Sequence, residues 1–484
     1  MNDISYEAII GLEVHAELKT ASKIFCACST KFGAPPNSQC CPVCMGHPGT
    51  LPVLNRHAVE LAILAGLALE CEISRQSRTD RKHYFYPDLP KAYQISQNEI
   101  PLCKNGRLRI SVDGSQRAIG IRRIHIEEDA GKLIHAGKET LIDFNRCGVP
   151  LIEIVSNPDL RSGAEASAYL KALRAILVRC GVSDCKMQEG SLRCDVNISL
   201  RQKESDGFGT RVEIKNINSF AFVEKAINYE IDRQEALLRR GERISMETRR
   251  FHSAKGITEP MRKKESAEDY RYLPEPDLPG IRLSDAEIKE IADLLPELPS
   301  AHAARLADAY GIRSKEAEIL TAEICLAAFF EQVAAKTRYP QIALNLLLTD
   351  LLPHCASEPF SSPVSWERLA ELTDLLGEGK INSATAKKLL ARLIKTDFSP
   401  ADAVFKEGLE QIRDEAKLQA LVGIVMQKMP QAIADWQSGK TAAIRSLQGR
   451  IMAESGGRAD PVLAERLLQN ALEAIKKTKE IAEQ

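Results

Sequence analysis

Ile10-Gly11-Leu12-Glu13-Val14-His15-Ala16-Glu17 decides how the first half of this chain is read. Ile10, Leu12 and Val14 alternate with Gly11, Glu13 and His15, which is the two-residue period of a strand with one apolar face. Glu13 and His15 therefore share the other face, where a hard cation could use both. An ordinary surface strand shows the same alternation, so the stretch alone leaves both explanations open. Two later segments repeat the pattern. Leu192 to Ser199 sets Arg193, Asp195 and Asn197 opposite Leu192, Cys194, Val196 and Ile198, and Arg211 to Asn216 sets Glu213 and Lys215 against Val212 and Ile214. A sheet whose polar face gathers Glu13, His15, Asp195 and Glu213 could hold Mg²⁺ through carboxylates, with nucleotide phosphates and water completing its shell. The alternative is that these are the solvent sides of half-buried strands.

Other clusters add to this chemistry. The run Arg122 to Lys132 contains Glu127, Glu128 and Asp129 in succession as it leaves a strand. Acids packed this way repel one another unless a cation or a basic partner balances them; a solvated strand end is the competing explanation. Arg78 to Pro87 mixes basic and aromatic side chains, a composition suited to stacking on a nucleotide or a tRNA end, and equally to a packed loop. Near the start, Cys26-Ala27-Cys28 and Cys41-Pro42-Val43-Cys44 lie across a loop rich in Gly, Pro, Asn and Ser. That spacing lets two thiolate pairs close a tetrahedron around one zinc, with reduced thiols in a loop as the other possibility.

At 484 residues the chain exceeds one compact core, and roughly two to four domains are expected. A net charge of −1 excludes a grip on nucleic acid by bulk positive charge, though not by local patches. The thirteen cysteines are scattered and odd in number, which fits reduced thiols better than a disulfide framework. No apolar run approaches the roughly 20 residues that span a bilayer, and the first residues lack the pattern of a signal or transit peptide. A cytoplasmic protein is expected. Gly-x-x-x-x-Gly-Lys-Ser/Thr, strand-linked Gly-x-Gly-x-x-Gly, Gly-x-Ser-x-Gly and His-Glu-x-x-His motifs are all missing. A bound nucleotide would not be held in the P-loop or Rossmann manner, and neither serine hydrolase nor zincin chemistry is suggested.

Up to about residue 280, strand-like runs alternate with a few helices. Arg107 to Val112, the turn Asp113-Gly114, and Ala118 to Ile126 read as a hairpin. His57 to Leu69, Ala164 to Arg179 and Phe222 to Arg239 carry apolar residues at helical spacing. The expectation is an α+β domain with a largely antiparallel sheet. After the proline-rich Leu273 to Gly280 the pattern turns helical, with helices expected over Asp285–Leu295, Ser314–Lys336, Trp366–Leu376, Ser383–Leu393, Leu418–Lys428 and Val462–Lys477. The domains are placed at 1–289, with a zinc-binding loop at 26–44, then an all-α helical domain at 290–407 and a small helical tail domain at 408–484.

These motifs together resemble the B-subunit family of the aspartyl/glutamyl-tRNA(Asn/Gln) amidotransferases, the GatB family. Matching stretches run in order from Ile10–His15 through Phe32-Gly33 and Pro36-Asn37 to Cys41–Cys44, then Asp80-Arg81-Lys82 with Tyr84–Asp88, Pro90–Gln97, and His125 with Glu127–Lys132. Pro150–Ser156, Glu189–Asp195, Lys215-Asn216 with Asn218–Phe220, and Asp269–Tyr272 follow. They cover nearly all of residues 6–280.

The resemblance implies a glutamine synthetase-like catalytic cradle that uses ATP and Mg²⁺ to phosphorylate the side-chain carboxylate of Glu or Asp mischarged on tRNA. It also implies partners in a heterotrimer: an amidase, the A-subunit, which supplies ammonia, and a small C-subunit. By position, Glu13, His15, Glu128, Asp195 and Glu213 look like the Mg²⁺ and phosphate cluster, with Glu13, His15, Glu128 and Glu213 catalytic. Lys82, Tyr84, Arg193 and Lys215 look like substrate-binding groups. Cys26, Cys28, Cys41 and Cys44 look like the family's zinc site, and the tail looks like a tRNA-binding domain. Two departures fall late. Asn345-Leu346 stands where the family commonly has Asn-Trp, and Met452–Arg458 lacks the family's lysines, which leaves Arg445, Arg450 and Arg458 to meet phosphates. Cys40 is an extra thiol able to swap with Cys41. A zinc-stabilised tRNA scaffold without chemistry is the rival from another class, and the acids argue against it because RNA would favour Lys or Arg there. A stand-alone ligase using free ammonia is a third, since the chain shows no amidase signature.

Overall fold

The computed structural model describes residues 5–263, 270–357, 360–438, 440 and 442–483. The chain divides into two compact units, Met1–Ala301 and His302–Gln484. The first is built on one nine-stranded sheet. Its strands in chain order are β1 (Tyr6–Glu17), β2 (Glu72–Ile73), β3 (Cys103–Val112), β4 (Ser115–Glu128), β5 (Pro150–Ser156), β6 (Leu192–Gln202), β7 (Val212–Ile217), β8 (Glu247–His252) and β9 (Ile257–Lys263). Across the sheet they run β9-β8-β7-β6-β1-β5-β4-β3-β2. Only the β7–β8 pair is parallel; the other neighbours are antiparallel, as the alternating segments led one to expect.

The central strand β1 sets the register. It pairs with β6 from Tyr6↔Gln202 to Ala16↔Leu192 and with β5 from Glu13↔Val155 to Glu17↔Leu151. Side chains alternate faces along every strand, so one face collects Ile10, Leu12, Val14, Val196, Ile198, Ile152, Ile154, Ile124 and Ile126, all buried. Helices α1 (Arg56–Ala68), α2 (Gly163–Arg179) and α3 (Phe220–Arg239) supply Ile63, Tyr169, Leu173, Val223 and Ile227 to the same core. Each such side chain contributes about 2 kcal/mol by leaving water. The helices start where sequence chemistry satisfies their first N–H groups: Asn55, Ser162 and Ser219 each accept one through the side chain. Gly163 lets α2 approach α3, because a Cβ there would lie 2.7 Å from the Glu224 carbonyl oxygen.

With the isoleucines facing the helices, Glu13, His15, Arg193, Asp195, Asn197, Glu213 and Lys215 fall on the other face. The proline-rich stretch folds back onto this unit. Leu273–Pro274 pairs with Asp80–His83, which also pairs with Tyr93–Ser96, and Ile281–Arg282 pairs with Gln76–Ser77. Arg81 holds the return with two hydrogen bonds to the buried Glu275, at 2.7 and 2.8 Å. Asp269, at the head of the Asp269–Tyr272 motif, lies outside the described residues.

The second unit is almost entirely helical. Its larger core includes Leu306, Phe330, Leu347, Leu369 and Leu389, and a smaller one gathers Leu418, Val422, Leu447, Ile451, Leu468 and Leu472. Gly408, at φ +60°, ends helix Pro400–Glu407 between them. The Gln411 N–H donates to the Lys380 carbonyl at 2.7 Å, and Arg458 donates to the Gly408 carbonyl at 2.6 Å. The helix expected over Ser314–Lys336 is two, Ser314–Thr321 and Ile324–Lys336, broken where Glu323 takes an extended conformation. Among the described residues, no helix is long and apolar enough to cross a membrane.

Breaking the Arg81–Glu275 pair leaves a part-buried guanidinium with only Asp277, at 2.9 Å, as its counter-charge. Glu275→Ala is expected to cost about 2 kcal/mol in thermal unfolding, and Arg81→Met in the same protein should recover part of that loss. An unchanged melting temperature in the single variant would show that the pair does not fix the return strand.

Candidate active site

The β1–β6–β7 register brings three carboxylates together. Glu13 stands opposite Asp195, and Asn197 opposite Glu213. One oxygen each from Glu13, Asp195 and Glu213 lies within 4.8 Å of the others. Asn197 donates to Glu13 at 2.9 Å, Thr248 donates to Glu213 at 2.9 Å, and the Lys215 ammonium lies 2.7 Å from Asp195 and 3.6 Å from Glu213. Burial, then the charges of Glu153, Glu213 and Asp195, hold the Glu13 carboxyl above its ordinary value. Burial opposes the charge on Lys215, but Asp195 and Glu213 overcome it and push the ammonium well upward. Among the described residues, the Lys215 ammonium is the basic group within ion-pair distance of Asp195 and Glu213.

A second group lies beside it. The His15 Nε2 is 3.4 Å from Glu127 and 3.6 Å from Glu153, and the His125 Nε2 is 3.2 Å from Glu153. Burial disfavours a charged His15, yet Glu153 and Glu127 prevail and lift its pKa to about 9. Burial likewise works against the Glu153 carboxylate, but His125 and His15 hold it well below the usual range. The His125 Nδ1, the Arg193 Nε and the Asn197 Oδ1 are buried without partners among the described residues. Such orphaned polar atoms around two acid groups are capacity that a ligand would use.

Glu128 is not part of either group. Ile124 and Ile126 point into the apolar core, so Glu128 leaves the strand on their side while His125 and Glu127 share the polar face. There Glu128 accepts from the Lys91 ammonium, 2.6 Å from one of its oxygens, and from the Ile95 N–H at 2.8 Å. The pair borders a cavity of about 120 Å³ that Lys23, Cys44, His47 and Gly148 also line. Arg193 is spent on Asp129, with Arg146 at 3.3 Å from the same carboxylate. At the end of β1, burial and then Asp129 raise the Glu17 carboxyl to about 7.

Lys82 and Tyr84 stand at this face from the strand Asp80–His83 and the loop after it. The Lys82 ammonium sits 4.8 Å from the Tyr270 ring centroid and 5.9 Å from that of Tyr84. Burial opposes its charge, but Glu127, Tyr272 and Glu153 raise it overall. Burial also pushes the Tyr84 hydroxyl upward. Sequence reasoning marked the run that holds His125, Glu127 and Glu128 but carried only Glu128 into the metal cluster, and it gave Glu153 no role. The signal was available: His125 and Glu127 alternate with Ile124 and Ile126, and Glu153 alternates with Ile152 and Ile154.

The cysteine quartet closes as one group, with all four sulfurs within 4.8 Å of one another and Cys44 3.9 Å from Cys41. Zinc bonded at about 2.3 Å to four sulfurs needs edges of about 3.8 Å, so this set fits zinc. Its hydrogen bond with Cys26, then the Cys41 N–H and Lys23, pull the Cys44 thiol down against burial. Cys40 lies outside the quartet, its sulfur 3.2 Å from the Asn37 carbonyl. In the helical unit Arg445 is exposed, Arg450 pairs with Glu454 at 2.8 Å, and Arg458 is consumed by backbone carbonyls.

Comparison with known proteins covers most of the chain. Residues 8–289 match the model of the GatB/GatE catalytic domain, and residues 328–472 match that of the GatB domain. The aspartyl/glutamyl-tRNA(Asn/Gln) amidotransferase B-subunit of Caldanaerobacter subterraneus is 50% identical over 473 residues, covering 97% of this chain and 100% of its own. Proteins of the same name from Moorella thermoacetica and Clostridium botulinum are 47% and 46% identical, each over 97% of this chain and 100% of their own.

His15 carries a pH signature in protein stripped of divalent cations. Its folded value, about 9, lies above the ordinary 6.5, so its contribution is complete below about pH 6.5 and is lost as pH rises through 9. The stability difference between wild type and His15→Gln should shrink across that window, at up to about 1.4 kcal/mol per pH unit for one proton. Denaturant unfolding at stepped pH measures it, and a difference that stays flat from pH 6 to 9.5 would show that His15 is not held by these carboxylates.

Proposed function

The chain belongs to the B-subunit family of the aspartyl/glutamyl-tRNA(Asn/Gln) amidotransferases, and we propose that the acid-lined face of its central sheet is the site of that reaction. The protein is the catalytic component of a multi-subunit ligase acting on tRNA. The side-chain carboxylate of Glu on tRNA(Gln), or of Asp on tRNA(Asn), attacks the γ-phosphorus of ATP and ADP leaves. Ammonia then attacks the activated carbonyl, phosphate departs, and a proton is lost, giving Gln-tRNA(Gln) or Asn-tRNA(Asn).

The observation that carries the site is the convergence of Glu13, Asp195 and Glu213, one oxygen of each within 4.8 Å of the others. All-oxygen donors of this kind suit Mg²⁺. In this reading Glu13, Asp195 and Glu213 hold one divalent cation, and His15, Glu127 and Glu153 offer a second position. When bound, Mg²⁺ neutralises phosphate charge and lines up the displaced group. Lys215 keeps Asp195 and Glu213 ionised and in place. Lys82, steadied over Tyr84 and Tyr270, faces the group that becomes the acyl phosphate. Glu128, held by Lys91 on the other face, neutralises a buried ammonium and is no Mg²⁺ ligand. A glutamine synthetase-like cradle belongs to the same reading, since the reaction passes through an acyl phosphate and the chain has no P-loop.

The cysteine quartet holds a structural zinc, closed by four protein ligands with no open position. An amidase, the A-subunit, supplies ammonia, and a small C-subunit makes up the heterotrimer, in the cytoplasm. The 408–484 segment grips the tRNA body. Its free charge is narrower than the sequence suggested, because Lys440 pairs with Asp435, Arg450 with Glu454, and Arg458 with carbonyls. Arg445 is the principal phosphate contact, with Arg450 able to exchange Glu454 for a phosphate.

In the assembled complex, Glu213→Gln should lower the amidation rate of mischarged tRNA by about 10²-fold or more, with tRNA affinity kept, because one carboxylate is lost from a site of developing phosphate charge. Near-normal amidation would remove this face from the reaction. Running the assay on Glu-tRNA(Gln) and Asp-tRNA(Asn) separately shows which is used. Arg445→Glu with Arg450→Glu should raise the KM for tRNA several-fold, flatten its salt dependence and leave the KM for ATP unchanged. Unaltered tRNA binding across salt would overturn the tail assignment.

A further inference from the structure

Lys23 is among the largest fully buried side chains, with 0% exposure. Its ammonium lies 3.6 Å from the Cys44 sulfur and 3.2 Å from the Phe144 carbonyl oxygen, and among the described residues it makes no ion pair with a carboxylate. A buried ammonium without an anion is costly, and the nearest group able to carry negative charge here is a thiolate. The neighbouring Lys91 does not compete for that place, because its charge is matched by Glu128.

The backbone fixes where Lys23 points. Its N–H donates to the Cys28 carbonyl at 2.9 Å, and the next N–H, of Ile24, donates to Gly148 at 2.9 Å. Its stem packs against Gly148, where a Cβ would sit 3.6 Å from the Lys23 Cδ. The side chain is thereby threaded under the loop and delivered to Cys44, the one quartet member that is buried.

We propose that Lys23 is the built-in counter-charge of the cysteine quartet, setting how tightly the metal is held. Four thiolates around one Zn²⁺ leave a dianion, and in a water-poor pocket an ammonium beside one sulfur offsets part of it. Lys23 is a positioning residue: it touches neither substrate nor zinc and acts through Cys44. The inference rests on the zinc reading above. It adds a consequence that simple packing would not produce, namely that the residue stabilises the metal-loaded chain and burdens the metal-free one.

The test uses the full chain purified without chelator. Zinc is first counted in the wild type, and its absence would overturn the zinc reading together with this one. With zinc present, Lys23→Met should release the metal to a colorimetric chelator at least tenfold faster, while the zinc-free variant melts at or above zinc-free wild type. Release at the wild-type rate, or an equal drop in melting temperature with and without metal, would overturn the role of Lys23 and leave the zinc site standing. Cys26→His lowers the negative charge of the ligand set by one and gives a second arm. In that background Lys23→Met should have a clearly smaller effect on release, and should fold and keep zinc even where the single variant does not. An undiminished effect, or equal failure to fold, contradicts the proposal.

Discussion

Mutual repulsion of carboxylates on one face of a sheet is the constraint around which the first unit is arranged. Antiparallel pairing at β1 forces Glu13 opposite Asp195 and His15 beside Glu153, because the apolar residues of the same strands must all reach the helices. A shift of one residue in register would bury the acids and expose the isoleucines. The hydrophobic core therefore holds the acids together as a consequence of burying its own face. Basic groups then divide the charge. Lys215 serves Asp195 and Glu213, His15 and His125 serve Glu153, and Arg193 and Arg146 serve Asp129. Glu13 accepts from the Asn197 amide, and burial, then the charges of Glu153, Glu213 and Asp195, raise its pKa.

Period-two alternation was sufficient to place Glu13, His15, Asp195 and Glu213 on one polar face and to anticipate a largely antiparallel sheet, because those strands are half-buried and their pattern is strict. The same rule, applied to Ile124-His125-Ile126-Glu127-Glu128, separates Glu127 from Glu128, but the run of acids drew attention to charge density instead of parity. Glu153 stayed hidden for a different reason. Its alternation with Ile152 and Ile154 puts it on the polar face, but its place on β5 between His15 on β1 and His125 on β4 comes from pairing between distant segments, which local pattern does not encode. Strands β8 and β9 were missed because Glu247 to His252 shows no alternation and draws its order from pairing with β7 and β9. The break at Glu323 was likewise invisible, since apolar spacing continues through it.

Away from the polar face, buried carboxylates among the described residues meet basic or amide partners. Glu275 is met by Arg81, Glu128 by Lys91, and Glu230 by Arg233 and Gln234. The buried Lys23 ammonium instead lies beside the Cys44 sulfur and the Phe144 carbonyl. The helical unit follows the opposite rule, with its charges exposed and paired at the surface. Such pairs add little stability, so Arg450 can exchange Glu454 for another anion at small cost.

The central claim is that the polar face holds divalent cations through its two acid groups. Crystals of the assembled complex grown with Mn²⁺ and a non-hydrolysable ATP analogue, measured at the manganese absorption edge, test it directly. The account requires an anomalous peak among Glu13, Asp195 and Glu213, with any second peak on this face beside His15, Glu127 and Glu153. Manganese bound elsewhere with the nucleotide, leaving these carboxylates without a peak, would contradict it.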